Sequence, residues 1–396
     1  MKSLISALLI LTGMGCSVTH AKLTVDANSV TNLTIVADAR GAEGANAKTL
    51  RSAADLLAGS FERKFGERPT VVMHSDAQPP TIDPPRIVIA RADQYPELAK
   101  PLTTTDPDGY AIITDENVVH VLGVTEGGAR HGTAELLHDL AYRFYNPSPK
   151  WWLVPESDRL VIDHNVTDAP ALRTRSIWYA YGASTKPLAE LHRFWMDANR
   201  LGTAAPTRSG HSYGSIILRN KEAFEAHPEY YAMNEQGERT NDRSPAAAKF
   251  CFSNPGLKDL VARDRLALLK ERRQTNPLEY MVSVDPSDGR GTCHCADCQA
   301  IGTPTDRVIH LANHVARHLR EHDPDAWVGL YAYSSHRQPP TIDVEPNVYI
   351  QVAMGFNRTE YTLPELVAKW GEKAGAVGLR EYYGVEAWDW GLPGRM

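Results

Sequence analysis

The sequence predicts an α/β protein in two parts, a small α/β domain followed by a (β/α)8-type barrel of which about six strand units are visible. Three observations predict it. Short apolar strands alternate with amphipathic helices along most of the chain, the repeat lengthens after about residue 165, and 396 residues leave room for two hydrophobic cores. With 42% hydrophobic and 23% charged residues the composition is that of an ordinary globular protein, which excludes disordered, collagen-like and coiled-coil chains. The formal charge of −6 gives no electrostatic reason to expect a nucleic-acid partner.

The chain opens with Lys2, runs apolar from Leu4 to Leu11 and reaches a cleavage-type exit at Thr19, His20 and Ala21. Residues 1–21 therefore read as a signal peptide, and the mature protein is expected to be exported to the periplasm or the extracellular space. The apolar run is too short to span a bilayer, and no second long one follows, so no transmembrane segment is expected. A competing reading makes Cys16 the lipidated first residue of a lipoprotein, although Gly13 stands where such sites usually carry Leu.

Over residues 22–165 the pattern is that of the small α/β domain. A strand at 33–38 precedes a helix at 45–65 whose apolar face holds Leu50, Ala53, Leu56, Leu57 and Phe61, stopped by Gly66. Strands follow at 71–73, 86–90, 110–114 and 118–124, then a second helix at 126–140. Pro-rich loops at 76–85 and 100–108 punctuate the set. EGGARHG at 126–132 lacks the spacing and the lysine of a phosphate loop and reads as the opening of the second helix.

Residues 166–396 are expected to form the barrel. Strands at 176–181, 202–206, 280–284, 328–333, 348–353 and 377–383 alternate with helices at 187–200, 255–273, 306–321 and 363–373. Near-continuous apolar strands separated by helices argue for a parallel sheet. About 230 residues are available where such a barrel typically takes about 250, so it is expected to be C-terminally incomplete, without its last two strand-helix units.

A parallel barrel carries its chemistry on the loops past the carboxyl ends of its strands. The second strand leads to His211 and Tyr213, the third to Asp285 and Asp288, the fourth to Tyr331, Tyr333, His336 and Arg337. The sixth leads to Glu381, Tyr382 and Tyr383, with Trp388 and Trp390 beyond. Carboxylates among Tyr and Trp suit carbohydrate chemistry: acids protonate a glycosidic oxygen and activate water or attack the anomeric carbon, while aromatic faces stack on sugar rings. An Asp before Gly is a common turn residue, so Asp288 alone says little. Glu381 says more, because it interrupts an apolar strand beside aromatics.

Cys293, Cys295 and Cys298 lie in CHCADC, with Cys251 upstream in FCFSNP. A Cys293–Cys295 disulfide would close a strained ring, and three thiols in six residues leave an odd partner. Four thiolates in this spacing suit tetrahedral structural zinc; export instead favours a disulfide, for instance between Cys251 and one of the three; free thiols are the remaining alternative. In each case the cluster is expected to pin the loop carrying Asp288. A four-thiolate site has no open position for water, so catalysis is expected to need no cofactor. His310, His314, His318 and His322 recur every four residues opposite an apolar face, without the zincin H-E-x-x-H pattern, and read as a solvated helix face.

HPEYYAM (227–233), FCFSNP (250–255), SVDPSDGRGTCHCADC (283–298) and REYYG (380–384) resemble a bacterial secreted family known as domain of unknown function 4838. That family is related to the α-glucuronidases and to β-hexosaminidase-like glycoside hydrolases. GGARHGTAELLHDLAYRFYNP (127–147) is similar to the α/β accessory domain that precedes the barrel in those enzymes. The resemblance implies a sugar-directed TIM barrel after an accessory domain. In it Asp288 matches the family's S-P-N-D-G-like turn and Glu381 its E-Y-Y strand end, while Asp285 falls where the pattern usually has Ser. The adjacent Asp-Glu of the β-hexosaminidases is absent, so what is implied is an α-glucuronidase-like pair, Asp288 and Glu381. His211, Tyr213, Tyr333, Arg337, Tyr383 and Trp388 are then the expected substrate contacts. The expected protein is an exported glycoside hydrolase that cleaves O-glycosidic bonds of a polysaccharide or oligosaccharide with two carboxylates. Its rival is a non-catalytic glycan-binding protein on the same barrel.

Overall fold

The computed structural model describes residues 22–177, 186–239, 244–289, 291–353 and 359–381. The chain divides into two compact units, one running to Pro170 and taking in Arg193–Arg200, the other made of Ala171–His192 and Leu201 onward. The leader with Cys16, most of the expected strand at 176–181, and Tyr383 and Trp388 lie outside the described residues.

The first unit runs β1 (Leu23–Asp26), β2 (Thr34–Asp38), α1 (Gly44–Phe65), β3 (Thr70–His74), β4 (Arg86–Arg91), β5 (Tyr110–Asp115), β6 (Val118–Gly123) and α2 (Glu126–Asp139). The short β7 (Arg143–Phe144) and β8 (Trp152–Leu153) follow, then β9 (Arg159–Ile162) and β10 (Asn165–Asp168). Six strands form one sheet in the order β10-β5-β6-β4-β2-β3. The four from β6 to β3 are parallel, and β5 and β10 are antiparallel. Ile35, Ala37, Ile87 and Ile89 face the core shared with α1 and α2, while Val36, Val88, Ala90 and Leu122 fill the opposite face, which is the period-2 logic of a sheet buried on both sides. α1 ends at Gly66 with φ 82°, a left-handed stop. The Thr125 hydroxyl accepts the Gly127 and Gly128 amides and so caps α2, as EGGARHG implied; a Cβ on Gly128 would sit 2.2 Å from the Gly109 carbonyl oxygen. The unit reaches past residue 165 because β10 adds to the edge of β5. Its exposed NVTD has no apolar alternation to announce a strand.

After α3 (Lys186–Ala198) the second unit contains α4 (Tyr213–Arg219), α5 (Lys221–Ala226), α6 (Pro255–Arg273), β11 (Met281–Ser283), α7 (Ala296–Ile301) and α8 (Pro304–His322). It continues with β12 (Trp327–Ala332), β13 (Val348–Ala353), α9 (Leu363–Gly371) and β14 (Ala376–Arg380). β11, β12, β13 and β14 form a parallel sheet in sequence order. Val308, Ile309, Leu311, Ala312, Val315, Ala316 and Leu319 form the buried stripe of α8. Its first turn is fixed by a Thr303–Asp306 capping box, and Asp306 also accepts from Thr341. The histidine stripe is not simply solvated: His310 meets the Lys258 ammonium at 3.0 Å and His314 the Asp259 carboxylate at 2.9 Å, both on α6.

The expected strand at 202–206 does not form. GTAAP is short of side chains to pack, Pro206 lacks an amide, and the Thr203 hydroxyl bonds to Ala205 inside the segment. The chain joins the sheet only later, through a parallel bridge between His211 and Asp285. A closed (β/α)8 barrel is therefore not formed by the described residues; what stands is a four-stranded parallel sheet with one bridge beyond β11. Among the described residues no helix is long and apolar enough to cross a membrane.

Close approach at Gly329 in β12 supports this geometry. A Cβ there would lie 2.1 Å from the Arg208 carbonyl oxygen and 2.8 Å from Met281 Sδ. Gly329→Ala is expected to cost about 1–3 kcal/mol through overpacking, measured as a lower urea midpoint with unchanged slope.

Candidate active site

Asp285 follows Val284 at the carboxyl end of β11, where the chain is already buried, and its carboxylate is 0% exposed. A charge in that position requires partners. Oδ1 accepts the Tyr331 amide at 2.8 Å and lies 3.5 Å from His336 Nε2; Oδ2 lies 2.7 Å from His211 Nδ1. The Asp285 amide donates to Ser283 Oγ, and its carbonyl accepts the Ser212 amide, so the backbone is held as firmly as the carboxylate.

Both neighbours of His211 Nδ1, the Asp285 carboxylate and the Pro286 carbonyl, are acceptors at 2.7 Å, so Nδ1 carries a proton. That turns Nε2 toward Asp288, 3.8 Å from Oδ1. Burial alone pushes the imidazole pKa down. The Asp285 hydrogen bond and charge, the Pro286 carbonyl and the Asp288 charge together outweigh it, and the pKa lies above the ordinary value of 6.5. Tyr331 and Tyr333 flank the ring at centroid distances of 5.7 and 5.8 Å, and the Arg380 guanidinium lies over Tyr331.

Asp288 stands at the rim, its side chain 66% exposed, with Oδ1 accepting from the Gly289 amide and from Tyr333 Oη at 3.3 Å. Gly289 takes φ 82°, the left-handed turn that lets the chain reverse there. Beneath the loop, the buried Lys249 ammonium donates to the carbonyls of Ser287 and Asp288. Lys249, Ser287, Gly289, Tyr333 and His336 also line a narrow cleft beside the array.

The structure brings His211, Asp288 and Tyr333 together. Glu381 is exposed one residue past β14. Tyr213 is corrected. It is fully buried, stacked on Phe250 at 3.8 Å with its hydroxyl making no hydrogen bond, and is a core residue rather than a substrate contact, because α4 begins there and turns it inward. Arg337 folds onto its own loop: Nη1 donates to the Ser334 carbonyl and Nε is buried. Asp285, which falls where the family pattern usually has Ser, is the buried centre of the site, and a carboxylate directly after an apolar strand is the sequence signal for it. Cys251, Cys293, Cys295 and Cys298 are free thiols, with no pair joined as a disulfide, and their sulfurs converge within 4.8 Å of one another.

An α/β unit followed in sequence by a parallel sheet is an architecture this chain shares with solved structures. A family GH115 4-O-methyl-α-glucuronidase with specificity for decorated arabinogalactans shares it at TM-score 0.52 and 10% identity, over 90% of this chain and 49% of that one. Family GH20 enzymes also align. Flavobacterium johnsoniae chitobiase does so over 92% of this chain and 57% of its own at TM-score 0.48 and 13% identity. The β-N-acetylhexosaminidase of Streptomyces coelicolor A3(2) does so over 92% and 72% at 0.40 and 12%. The chain thus spans about half the length of the glucuronidase and little more of the chitobiase. No curated protein matches it. The chain belongs to the family described as Domain of unknown function (DUF4838), whose profile matches residues 146–383.

Because its folded-state pKa is raised, His211 contributes stability that is full below its unfolded value near 6.5 and is lost as pH rises through the folded value. In Asp285→Asn the imidazole pKa is expected to fall, read by NMR titration. The stability gap from wild type is expected to be widest below pH 6.5 and to narrow above it, read by denaturation across pH 6–8.

Proposed function

We propose that the chain is a glycoside hydrolase of α-glucuronidase-like type, cleaving the O-glycosidic bond of an acidic sugar in an oligosaccharide or polysaccharide outside the cytoplasm. The observation that carries this is the Asp285–His211–Asp288 array at the carboxyl ends of parallel strands. Asp285 holds the His211 ring and, by its hydrogen bond and charge, raises the imidazole pKa. His211 Nε2, 3.8 Å away, and Tyr333 Oη both face Oδ1 of Asp288, leaving Oδ2 for the reacting group. Asp288 is then the base that takes a proton from water, or the nucleophile at the anomeric carbon, and Glu381 is the acid that protonates the leaving oxygen. Water supplies the hydroxyl to one product and the net proton to the other, so no cofactor enters the reaction. The positive groups at the site, His211 and Arg380, suit the carboxylate of a uronic acid.

A panel of aryl glycosides carrying uronic acid, N-acetylhexosamine or neutral sugars tests the reading, with release from the uronic-acid member expected. Asp288→Asn and Glu381→Gln are each expected to lower kcat about 10²–10⁴-fold with unchanged circular dichroism. The rate is expected to decline on the alkaline side as His211 loses its proton. Equal rates for Glu381→Gln and wild type overturn the assignment of the acid. Tight glycan binding with no turnover on any member replaces the enzyme by a binding protein.

A further inference from the structure

We propose that Cys251, Cys293, Cys295 and Cys298 bind one zinc ion in a closed four-thiolate site that clamps the end of the loop carrying Asp288 to the segment that supports it. The sulfurs already have the shape. Cys251 Sγ lies 3.7 Å from Cys295 Sγ and 3.9 Å from Cys298 Sγ, Cys293 Sγ lies 3.5 Å from Cys295 Sγ, and all four fall within 4.8 Å of one another. A tetrahedron with Zn–S bonds of about 2.3 Å has edges of about 3.8 Å. A disulfide needs about 2.05 Å between two sulfurs and gives the other two no reason to be equidistant. The thiols come from two places in the chain, Cys251 and the CHCADC segment, so the convergence is made by the fold and not by the CHCADC spacing alone.

The surroundings fit thiolates rather than thiols. The Ser253 amide points at Cys298 Sγ and the Met233 amide at Cys293 Sγ, each at 3.3 Å, and the Ser253 hydroxyl lies among Cys251, Cys295 and Cys298. The Arg239 guanidinium stands beside Cys251 and donates to the Tyr231 carbonyl. Binding releases four protons, one from each thiol, and leaves a zinc–tetrathiolate unit of charge −2. Arg239 and the amide donors offset that charge. Soft thiolate ligands without a carboxylate select zinc over magnesium or calcium, and four of them leave no position for water, so the ion is structural.

Position gives the site its consequence. Cys251 is two residues from Lys249, whose ammonium holds the Ser287 and Asp288 carbonyls; Cys293 is five residues beyond Asp288. The ion would tie the segment that supports the loop to the segment that ends it. Metal binding stands independently of the hydrolase reading; only the value of an ordered Asp288 rests on that reading, and the test separates the two.

The full chain, purified without chelator, is expected to contain one zinc per chain and negligible iron by plasma emission spectrometry. Alkylation is expected to label the four cysteines only after chelation. Hydrogen exchange at residues 287–289 is expected to accelerate on chelation while the amides of β12 and β13 stay protected, whether or not any glycoside is cleaved. Cys295, the least buried of the four, offers a variant that keeps the core intact: Cys295→Ser is expected to stay folded and lose zinc. Arg239→Ala is expected to weaken zinc about 10–100-fold, with Arg239→Lys recovering part of the loss. A disulfide between any two of the four, stoichiometric iron, or four thiols alkylated freely without chelation overturns the proposal. Unchanged exchange at 287–289 on loss of zinc overturns the clamp.

Discussion

The second unit is organised around a buried negative charge. Asp285 has no access to water, and an ionised carboxylate so placed persists only if the fold supplies its hydrogen bonds. The hydrogen bonds come from two separate stretches, the Tyr331 amide of β12 and His211 of the segment bridged to β11, while His336 Nε2, from the turn after β12, lies 3.5 Å from the carboxylate. Satisfying one carboxylate therefore fixes the relative positions of three strand ends. The exposed side of the same arrangement, His211 Nε2 and Tyr333 Oη facing Asp288, is where the chemistry is proposed. Removing Asp285 would leave a hole in the sheet's polar end as well as an unanchored imidazole.

The elements most legible in the sequence are those whose pattern and burial coincide. The α8 stripe from Val308 to Leu319 and the strands β12 and β13 fall within a residue or two of their expected positions, because apolar periodicity there reports burial directly. Legibility fails where tertiary context decides. β10 is exposed on every residue and exists because β5 offers an open edge. GTAAP looks like a strand by its neighbours' spacing but has nothing to pack. Tyr213, taken for a rim residue from SGHSYG, turns into the core because α4 starts at that very position. Asp285 and Asp288, three residues apart in DPSDG, are opposites in burial, and no local pattern separates a paired interior carboxylate from a turn residue; the partner that separates them, His211, lies far away in sequence.

The loop between β11 and α7 shows why the cysteines and Lys249 matter to the same argument. It carries one proline, Pro286, two glycines at positive φ, Gly289 and Gly291, and an exposed carboxylate, and it has little apolar surface with which to order itself. A catalytic group held only by such a chain would spend binding energy on immobilisation in every turnover. Lys249 addresses this from below by taking two consecutive carbonyls, and the proposed zinc site would fix the exit of the loop at Cys293. Neither restraint touches the carboxylate itself, so both leave Oδ2 of Asp288 open to a substrate while removing the freedom of the backbone that carries it. A loop built for packing alone would have buried its acid; this one buries the supports and presents the acid.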